Sequence, residues 1–265
     1  MNICKNCKNE FSGNFCNICG EKVITDSDFS IKNILSQAVS AITNFDSKVF
    51  KTFKLMFKNP GILSKRIISG IRVPYLKPFQ IFVICNLLFF IFLSDTDLFR
   101  TPSKWFFNEN FDYFGTKVLD KVAHIMQVQN LSLTEVKTEY DFISTNLSKS
   151  LLILLIPLIA SIGFIIKRKV KFGKHLIFAT IYLSQLLLCT TILFLITTSL
   201  PVPNKWFFIL PVILFTFSYY ISSIKKFYEK TMLFSILFGI CGILLIAIFI
   251  NFYRIFINLI SLALV

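Results

Sequence analysis

Four cysteines near the start of the chain have the residue type and the spacing of a metal site. They form two Cys-x-x-Cys pairs, Cys4 with Cys7 and Cys16 with Cys19, on either side of a turn predicted at Ser12-Gly13-Asn14. Four thiolates suit the tetrahedral coordination of Zn²⁺. The spacing therefore predicts a short zinc ribbon over residues 1–22. Its zinc is structural, because four protein ligands leave no position for a reacting water.

Two other interpretations of these cysteines compete with zinc. A pair of disulfides requires an oxidising compartment, whereas the basic flank and the absence of a signal-peptide pattern place the segment in the cytosol, where thiols stay reduced. A redox Cys-x-x-Cys requires a thioredoxin-like context that so short a segment does not supply. Three further cysteines, Cys85, Cys189 and Cys241, lie in apolar segments and are expected to be small buried hydrophobes.

The chain as a whole is too apolar for a soluble protein. Hydrophobic residues make up 55% of its 265 residues, with 32 Phe, while charged residues make up only 16%. Apolar runs of about 17 to 25 residues match a bilayer crossed at about 1.5 Å per helical residue. The sequence predicts an all-α membrane protein with about five transmembrane helices. The predicted spans are residues 79–94, 150–166, 176–200, 206–224 and 232–250.

Three segments lie outside these spans. Residues 23–78 are predicted to form a linker and amphipathic basic helices. Residues 95–149 are predicted to be an extracytoplasmic region of two or three short helices. In the block 150–265, which holds transmembrane helices 2–5, the tail 251–265 is too short to cross the bilayer again. It either prolongs the last helix or lies in the membrane interface.

The basic residues predict the orientation of the spans. The formal net charge is +14, and the densest basic segments are 1–78 with 12 Lys/Arg, 167–175 with 5 and 225–230 with 3. All three lie on one side if the N-terminus is cytoplasmic and the C-terminus extracytoplasmic. We expect a bacterial inner-membrane protein, with basic residues that serve topology and anionic lipid rather than nucleic acid.

A basic amphipathic helix is predicted shortly before the first span. A face rich in phenylalanine lies opposite a face of lysines. The apolar positions are Val49, Phe50, Phe53, Met56 and Phe57, and the lysines are Lys48, Lys51, Lys54 and Lys58. Such a helix can lie in the membrane interface. It can also pack on the cytosolic ends of the spans, and the two placements are compatible.

The run Gly70-x-Arg72-x2-Tyr75-x2-Pro78 leads into the first span. Gly70 is expected to end a helix, and Pro78 fits the first turn of the next one. Arg72 and Lys77 are candidates for binding lipid phosphates, and Tyr75 suits the headgroup layer. Topology alone also explains every residue of this run.

Few residues have a pattern typical of catalysis or transport. No predicted span carries an ionisable residue near its middle, which argues against an ion-coupled transporter. Asp95-Thr96-Asp97 resembles the paired acids of membrane glycosyltransferases that use lipid phosphosugars, but no second acidic or histidine cluster accompanies it. His175 is expected to be an interfacial side chain. Interhelical hydrogen bonds are expected from Asn86, Ser184, Gln185, Thr190 and Thr191.

The ribbon, the segment FDSKVFKTFKLMFKNPG and the Gly70–Pro78 run together resemble a known family. They are similar to uncharacterised bacterial membrane proteins with a short N-terminal zinc ribbon, a domain of unknown function. The resemblance covers roughly the first 95 residues and implies an architecture without an activity. Lys8 departs from the glycine that usually follows the first Cys-x-x-Cys pair.

These observations favour a non-enzymatic scaffold in the membrane. Its cytosolic zinc ribbon is predicted to dock a protein partner, while the lipid bilayer surrounds the helices. A channel or transporter for a neutral or lipidic solute is the alternative, and a transferase on the outer face is a more distant one. The sequence makes no prediction about the oligomeric state.

Overall fold

The computed structural model of the chain is mostly helical and falls into two compact units. The first unit is Met1–Lys51 and the second is Thr52–Val265. The structure describes residues 2–4, 8–19, 47–59, 61–72, 74–93, 97–108, 115–198 and 206–265. Asp95 and residues 23–46 of the predicted linker and basic helices lie outside the described residues.

A small antiparallel sheet begins the first unit. Strand β1 is Asn2–Ile3 and strand β2 is Glu10–Phe11, with Asn2 opposite Phe11. The chain bends directly after β2, where Gly13 has a φ of 105°. Glycine adopts this left-handed conformation without the steric cost that a Cβ would bring. The bend lies within the turn predicted from Ser12-Gly13-Asn14.

The described part of the second unit is helical. Helix α1 covers residues 47–58 and contains the boundary between the two units. The helices that follow are α2 (Ile62–Ile68), α3 (Pro78–Phe92), α4 (Ser103–Phe106), α5 (Gly115–Gln129), α6 (Leu133–Ser150), a 3₁₀ turn (Leu151–Leu154), α7 (Leu155–Ile166), α8 (Phe172–Thr198), α9 (Trp206–Tyr228) and α10 (Met232–Leu264).

Three helical stretches among the described residues are long and apolar enough to cross a membrane. They are Leu133–Ile166 with 34 residues, Phe172–Ile196 with 25 and Met232–Leu264 with 33. At about 1.5 Å per residue, each exceeds the roughly 30 Å of a hydrocarbon core. Helix α3 is apolar but has only 15 residues. The length and composition of these helices support the predicted membrane location. The two further spans, over α3 and α9, stay predictions.

The first of these stretches joins two regions that the sequence divides at residue 150. Helix α6 passes through the 3₁₀ turn directly into α7, so one helical stretch leads from the polar region into the membrane. Pro157 has no N–H to donate to the carbonyl of Ile153, and its ring crowds that carbonyl. The tighter 3₁₀ turn lies at this point, where regular α-helical hydrogen bonding is interrupted.

The C-terminal tail prolongs the last helix, because α10 includes residues 251–264. This is one of the two placements predicted for the tail. This end of α10 closes a separate hydrophobic core with the short helices of the 95–149 region. The members of that core are Phe106, Val118, Val122, Ile125, Val136, Tyr140, Leu262 and Val265. The polar hydroxyl of Tyr140 is satisfied there, since it donates to the Thr101 carbonyl at 2.9 Å.

Helix α8 is the centre of the bundle, and α10 lies at its edge. Of the most apolar 18-residue window in each, 72% is buried in α8 and 22% in α10. This difference explains why Cys189 on α8 is buried as expected, whereas Cys241 on α10 is exposed, so that expectation was wrong for Cys241. Cys85 on α3 is also buried as expected. Small residues let α10 approach α9, since a Cβ at Gly242 would lie 2.5 Å from the Tyr220 ring.

The four polar residues of α8 that were expected to bridge between helices do not do so. The hydroxyls of Ser184, Thr190 and Thr191 donate to carbonyls four residues earlier in the same helix, at 2.7 to 2.9 Å. Gln185 Nε2 contacts Cys189 Sγ, also within α8. The expectation of interhelical hydrogen bonds was therefore wrong for these four. It holds for Asn86, whose Nδ2 donates from α3 to the Lys149 carbonyl at the end of α6, at 3.2 Å.

Replacing Gly163 with alanine is expected to destabilise the bundle by about 1–3 kcal/mol, the usual cost of overpacking. A Cβ at Gly163 would lie 2.9 Å from His175 Nδ1 and closer still to the Tyr228 hydroxyl. Thermal unfolding of the purified protein in detergent measures the effect. Gly173→Ala is the matched control, because a Cβ there meets nothing within 4 Å. An equal loss of stability in both variants would contradict the packing argument.

Candidate metal site and membrane-surface helices

A tight turn places Cys4 in the ribbon. The Cys4 N–H donates to the Asn9 carbonyl at 2.9 Å, and the Lys8 N–H donates to the Cys4 carbonyl at 3.0 Å. Lys8 closes this turn with a φ of 61°. That left-handed conformation costs a residue with a Cβ about 1–2 kcal/mol relative to glycine. Lysine therefore occupies a conformation that glycine adopts freely.

Three of the four predicted metal ligands come together. The Sγ atoms of Cys4, Cys16 and Cys19 all lie within 4.8 Å of one another, and those of Cys4 and Cys19 are 3.4 Å apart. Tetrahedral Zn²⁺ with Zn–S bonds of about 2.3 Å would separate its sulfurs by about 3.8 Å. A disulfide would need about 2.05 Å. The three cysteines could hold a metal ion, while Cys7 lies outside the described residues.

The ribbon has a very small interior and an apolar exterior. Its buried cluster consists of Cys4, Phe11 and Cys16. Three large hydrophobic side chains are instead exposed, with accessible fractions of 65% for Ile3, 60% for Phe15 and 68% for Ile18. So short a module has too few residues to bury these side chains. The three together give the ribbon an apolar surface suited to contact with another molecule.

Helix α1 packs through a narrower face than the sequence predicts. Thr52 and Met56 are fully buried. Thr52 Oγ1 accepts from the Leu76 N–H at 3.0 Å, and the Met56 carbonyl accepts from the Tyr219 hydroxyl of α9 at 3.1 Å. These contacts attach α1 to the bundle and to the run that leads into α3.

The exposed part of α1 keeps both aromatic and basic side chains. Phe50 is 67% and Phe57 40% exposed, so these two predicted members of the apolar face do not pack in the interior. Lys51, Lys54 and Lys58 are exposed, while Lys48 is half-buried. Phenylalanine and lysine together on an exposed helical face match the composition of an interfacial helix. The two placements predicted for α1 are thus compatible in one helix.

Helix α2 is held directly against α9. Gly61 precedes it with a φ of 77°, and a Cβ there would lie 2.6 Å from the Ser223 carbonyl oxygen. The close approach of two backbones therefore requires glycine at this position. Gly70 ends the helix with a φ of 99°, as predicted. Lys65 in α2 forms a salt bridge with Glu229, just after α9.

The candidate headgroup residues lie along the run from α2 to α3. Arg72 Nε donates to the Ile67 carbonyl at 3.1 Å, and the Tyr75 hydroxyl accepts from Arg66 Nη1. Lys77 caps α3, where its N–H donates to Gln80 Oε1 at 3.1 Å, and Pro78 is the first helical residue. Arg72 and Lys77 are exposed, so both charges can reach solvent or lipid. Their binding to lipid stays a prediction.

Several polar contacts were missed, and two of them join partners that are distant in sequence. Arg100 Nη1 donates to Asp141 Oδ1 at 2.6 Å, and Arg100 Nη2 lies 3.0 Å from Asp97. Asp97 therefore has a structural partner, which weakens its interpretation as a catalytic acid. His175 is fully buried with Nδ1 2.8 Å from the Tyr228 hydroxyl. The expectation of an interfacial His175 was wrong, and no local pattern marks either pair.

Fold and site together indicate a mostly helical protein with three candidate membrane spans and a cysteine cluster near one end of its chain. Residues 46–90 match a family described as a protein of unknown function (DUF3667). The match covers α1, α2 and most of α3, which confirms the predicted similarity to an uncharacterised family over this segment. No curated protein and no solved structure matches the chain.

Acidification is expected to remove the stabilising effect of the Lys65–Glu229 contact. The hydrogen bond from Lys65, and then its positive charge, lower the pKa of Glu229 below its ordinary value of 4.5. A carboxyl whose pKa is lowered by folding stabilises the protein above its unfolded pKa and loses that effect as the pH falls through its folded pKa. Glu229→Gln should therefore lower the Tm at pH 7 but have little effect near pH 3.

Paired thermal-unfolding curves of wild type and Glu229→Gln, taken at both pH values, provide the measurement. Lys65→Gln should show the same pH dependence, because it removes the other half of the pair. A Tm difference that persists unchanged at pH 3 would contradict the assignment.

Proposed function

We propose that the protein is a non-enzymatic membrane protein that docks a cytosolic protein partner through its zinc ribbon. The main support for the proposal is that a candidate metal site and an exposed apolar surface occur together within 18 residues. Three cysteine sulfurs converge on one point, and Ile3, Phe15 and Ile18 are exposed around them. Four thiolates around zinc would make this small unit rigid, and a rigid apolar surface loses little conformational entropy on binding.

The proposed partner presents an apolar surface to the ribbon. The ribbon's three exposed hydrophobics have the character of interface cores, in which large apolar and aromatic residues are enriched. Zinc enters only as a fold-forming ion, because closed Cys₄ sites offer no open coordination position. The proposal therefore assigns the ribbon no catalytic step.

In the proposed topology α3 and α9 complete a five-span bundle with a cytoplasmic N-terminus. Support comes from one end of the bundle, here called the α2 end, where the predicted basic segments meet. Lys65 of α2 contacts Glu229, which also feels the charge of Lys167. His175 at the start of α8 contacts Tyr228 at the end of α9. The three predicted basic segments thus share the α2 end, as the positive-inside rule requires of a cytoplasmic face.

Exposed residues of α1 add a second contact with the membrane at the proposed cytoplasmic face. Phe50 and Phe57 would insert at the headgroup level, and Lys51, Lys54 and Lys58 would approach anionic lipid. Helix α1 thereby lies between the bundle and the lipid surface. The matched family segment, residues 46–90, contains these residues.

The channel alternative has no comparable support among the described residues. Hydroxyls that could line a polar path through α8 are instead bonded to carbonyls of their own helix. Such hydroxyls satisfy themselves in an apolar environment and require no water-filled cavity. Docking is therefore the function that the described geometry favours.

Zinc is expected at one ion per chain in protein purified without added metal. Element analysis of the full-length protein measures it, and a chelator-titration monitored by released zinc gives the affinity. Cys4→Ser with Cys16→Ser should abolish binding, because it removes two ligands and the interior of the ribbon together. Cys241→Ser is the control, since Cys241 lies on α10 and is exposed. Full zinc content in the double variant would contradict the metal site.

Docking is expected to depend on the apolar surface as well as on zinc. Full-length protein carrying a photo-crosslinking amino acid at Ile3 should capture one discrete partner in cells. Phe15→Ser with Ile18→Ser should reduce that product by about tenfold while the zinc content is retained, since it removes two exposed anchors of the interface. The Cys4→Ser, Cys16→Ser variant should lose the product as well.

The control for the docking experiment is Ile71→Ser, which changes another exposed isoleucine, 51% accessible, outside the ribbon. It should leave the product unchanged. A crosslinked product that survives the loss of zinc would exclude the docking proposal, and so would one reduced equally by Ile71→Ser.

A further inference from the structure

A groove lies at the opposite end of the second unit from the α2 end, between α5 and the last turns of α10. Its volume is about 270 Å³, and its lining residues are Lys117, Val118, Lys121, Leu259, Leu262 and Ala263. Val118 and Leu262 are buried and form its floor, while Leu259 is 42% exposed on its wall. The floor is therefore apolar, and the groove is open to an external molecule.

Positive charge marks one rim of this groove. Lys117 and Lys121 are four residues apart on α5 and so lie on the same side of that helix. Both are exposed, whereas Val118 beside them is buried. Asp120, the acidic residue of α5, is not among the residues that line the groove. An apolar floor with two lysines at its rim is complementary to a molecule with a hydrocarbon chain and an anionic head.

The groove is continuous with an exposed apolar stripe on α10. Ile248, Phe252, Phe256 and Leu259 follow one another at helical spacing, with exposed fractions of 47%, 65%, 46% and 42%. Helix α10 has 33 residues, which corresponds to about 50 Å, or about 20 Å more than the hydrocarbon core of a bilayer. The stripe thus reaches from the depth of the membrane to the groove beyond its surface.

We propose that this groove binds an anionic phospholipid of the surrounding bilayer. One acyl chain lies along the α10 stripe and enters the groove over Leu262. The phosphate of the headgroup lies between the ammonium groups of Lys117 and Lys121. A phospholipid is favoured over a soluble anion, because the apolar path to the membrane would have no role in binding an anion alone.

The test uses full-length protein in nanodiscs that contain a photoactivatable phosphatidylglycerol probe with the reactive group on an acyl chain. Labelling is mapped by mass spectrometry to the peptide that contains Leu259 and Leu262. Unlabelled phosphatidylglycerol should compete with the probe, whereas phosphatidylcholine should not. Millimolar inorganic phosphate should not compete either, and competition by phosphate would replace the lipid with a soluble anion.

Two kinds of variant separate charge from shape. Lys117→Gln with Lys121→Gln should reduce labelling of this peptide by about tenfold, because two lysines near an anionic headgroup are removed. Ala263→Trp should reduce it similarly by filling the groove without a change of charge, so it tests the site even if the lysine variant folds poorly. Lys104→Gln on α4 is the control and should have no effect. Equal labelling in all variants, or equal competition by phosphatidylcholine, would overturn the proposal.

Discussion

In the hydrocarbon of a bilayer no water is available to hydrogen-bond the backbone, so every crossing segment must satisfy its own amide groups as a helix. The same constraint extends to side chains. In α8 the hydroxyls of Ser184, Thr190 and Thr191 are bonded to carbonyls of their own helix, so these three residues need no polar partner on another helix. The shapes of the side chains then decide how the helices pack. At Gly242, for example, the absence of a Cβ leaves room for the ring of Tyr220.

Because the interior of the bundle is kept apolar, charged residues gather at its two ends. At the α2 end Lys65 pairs with Glu229, and exposed lysines of α1 lie on the matched family segment. At the other end Arg100 pairs with Asp141 and joins the α4–α6 region together. These ends differ in chemistry: the first is strongly basic, and the second combines an ion-pair network with a small core closed by α10.

The ribbon obeys a different constraint, since too few residues are present to bury a core. Its interior is Cys4, Phe11 and Cys16, and under the proposed zinc binding the free energy of folding would depend on the metal. The same shortage of interior leaves Ile3, Phe15 and Ile18 at the surface. An apolar exterior is thus a consequence of small size, and that exterior is what the docking proposal uses.

Features with a local physical cause could be predicted from the sequence: the apolar helices, the paired cysteine spacing, the end of α2 at Gly70 and the start of α3 at Pro78. Features that depend on distant partners could not. Lys65 and Glu229 are 164 residues apart, and the buried face of α1 became Thr52 and Met56 because Leu76 and Tyr219 bond there. Helical periodicity places residues on a face, but only tertiary packing decides which face is covered.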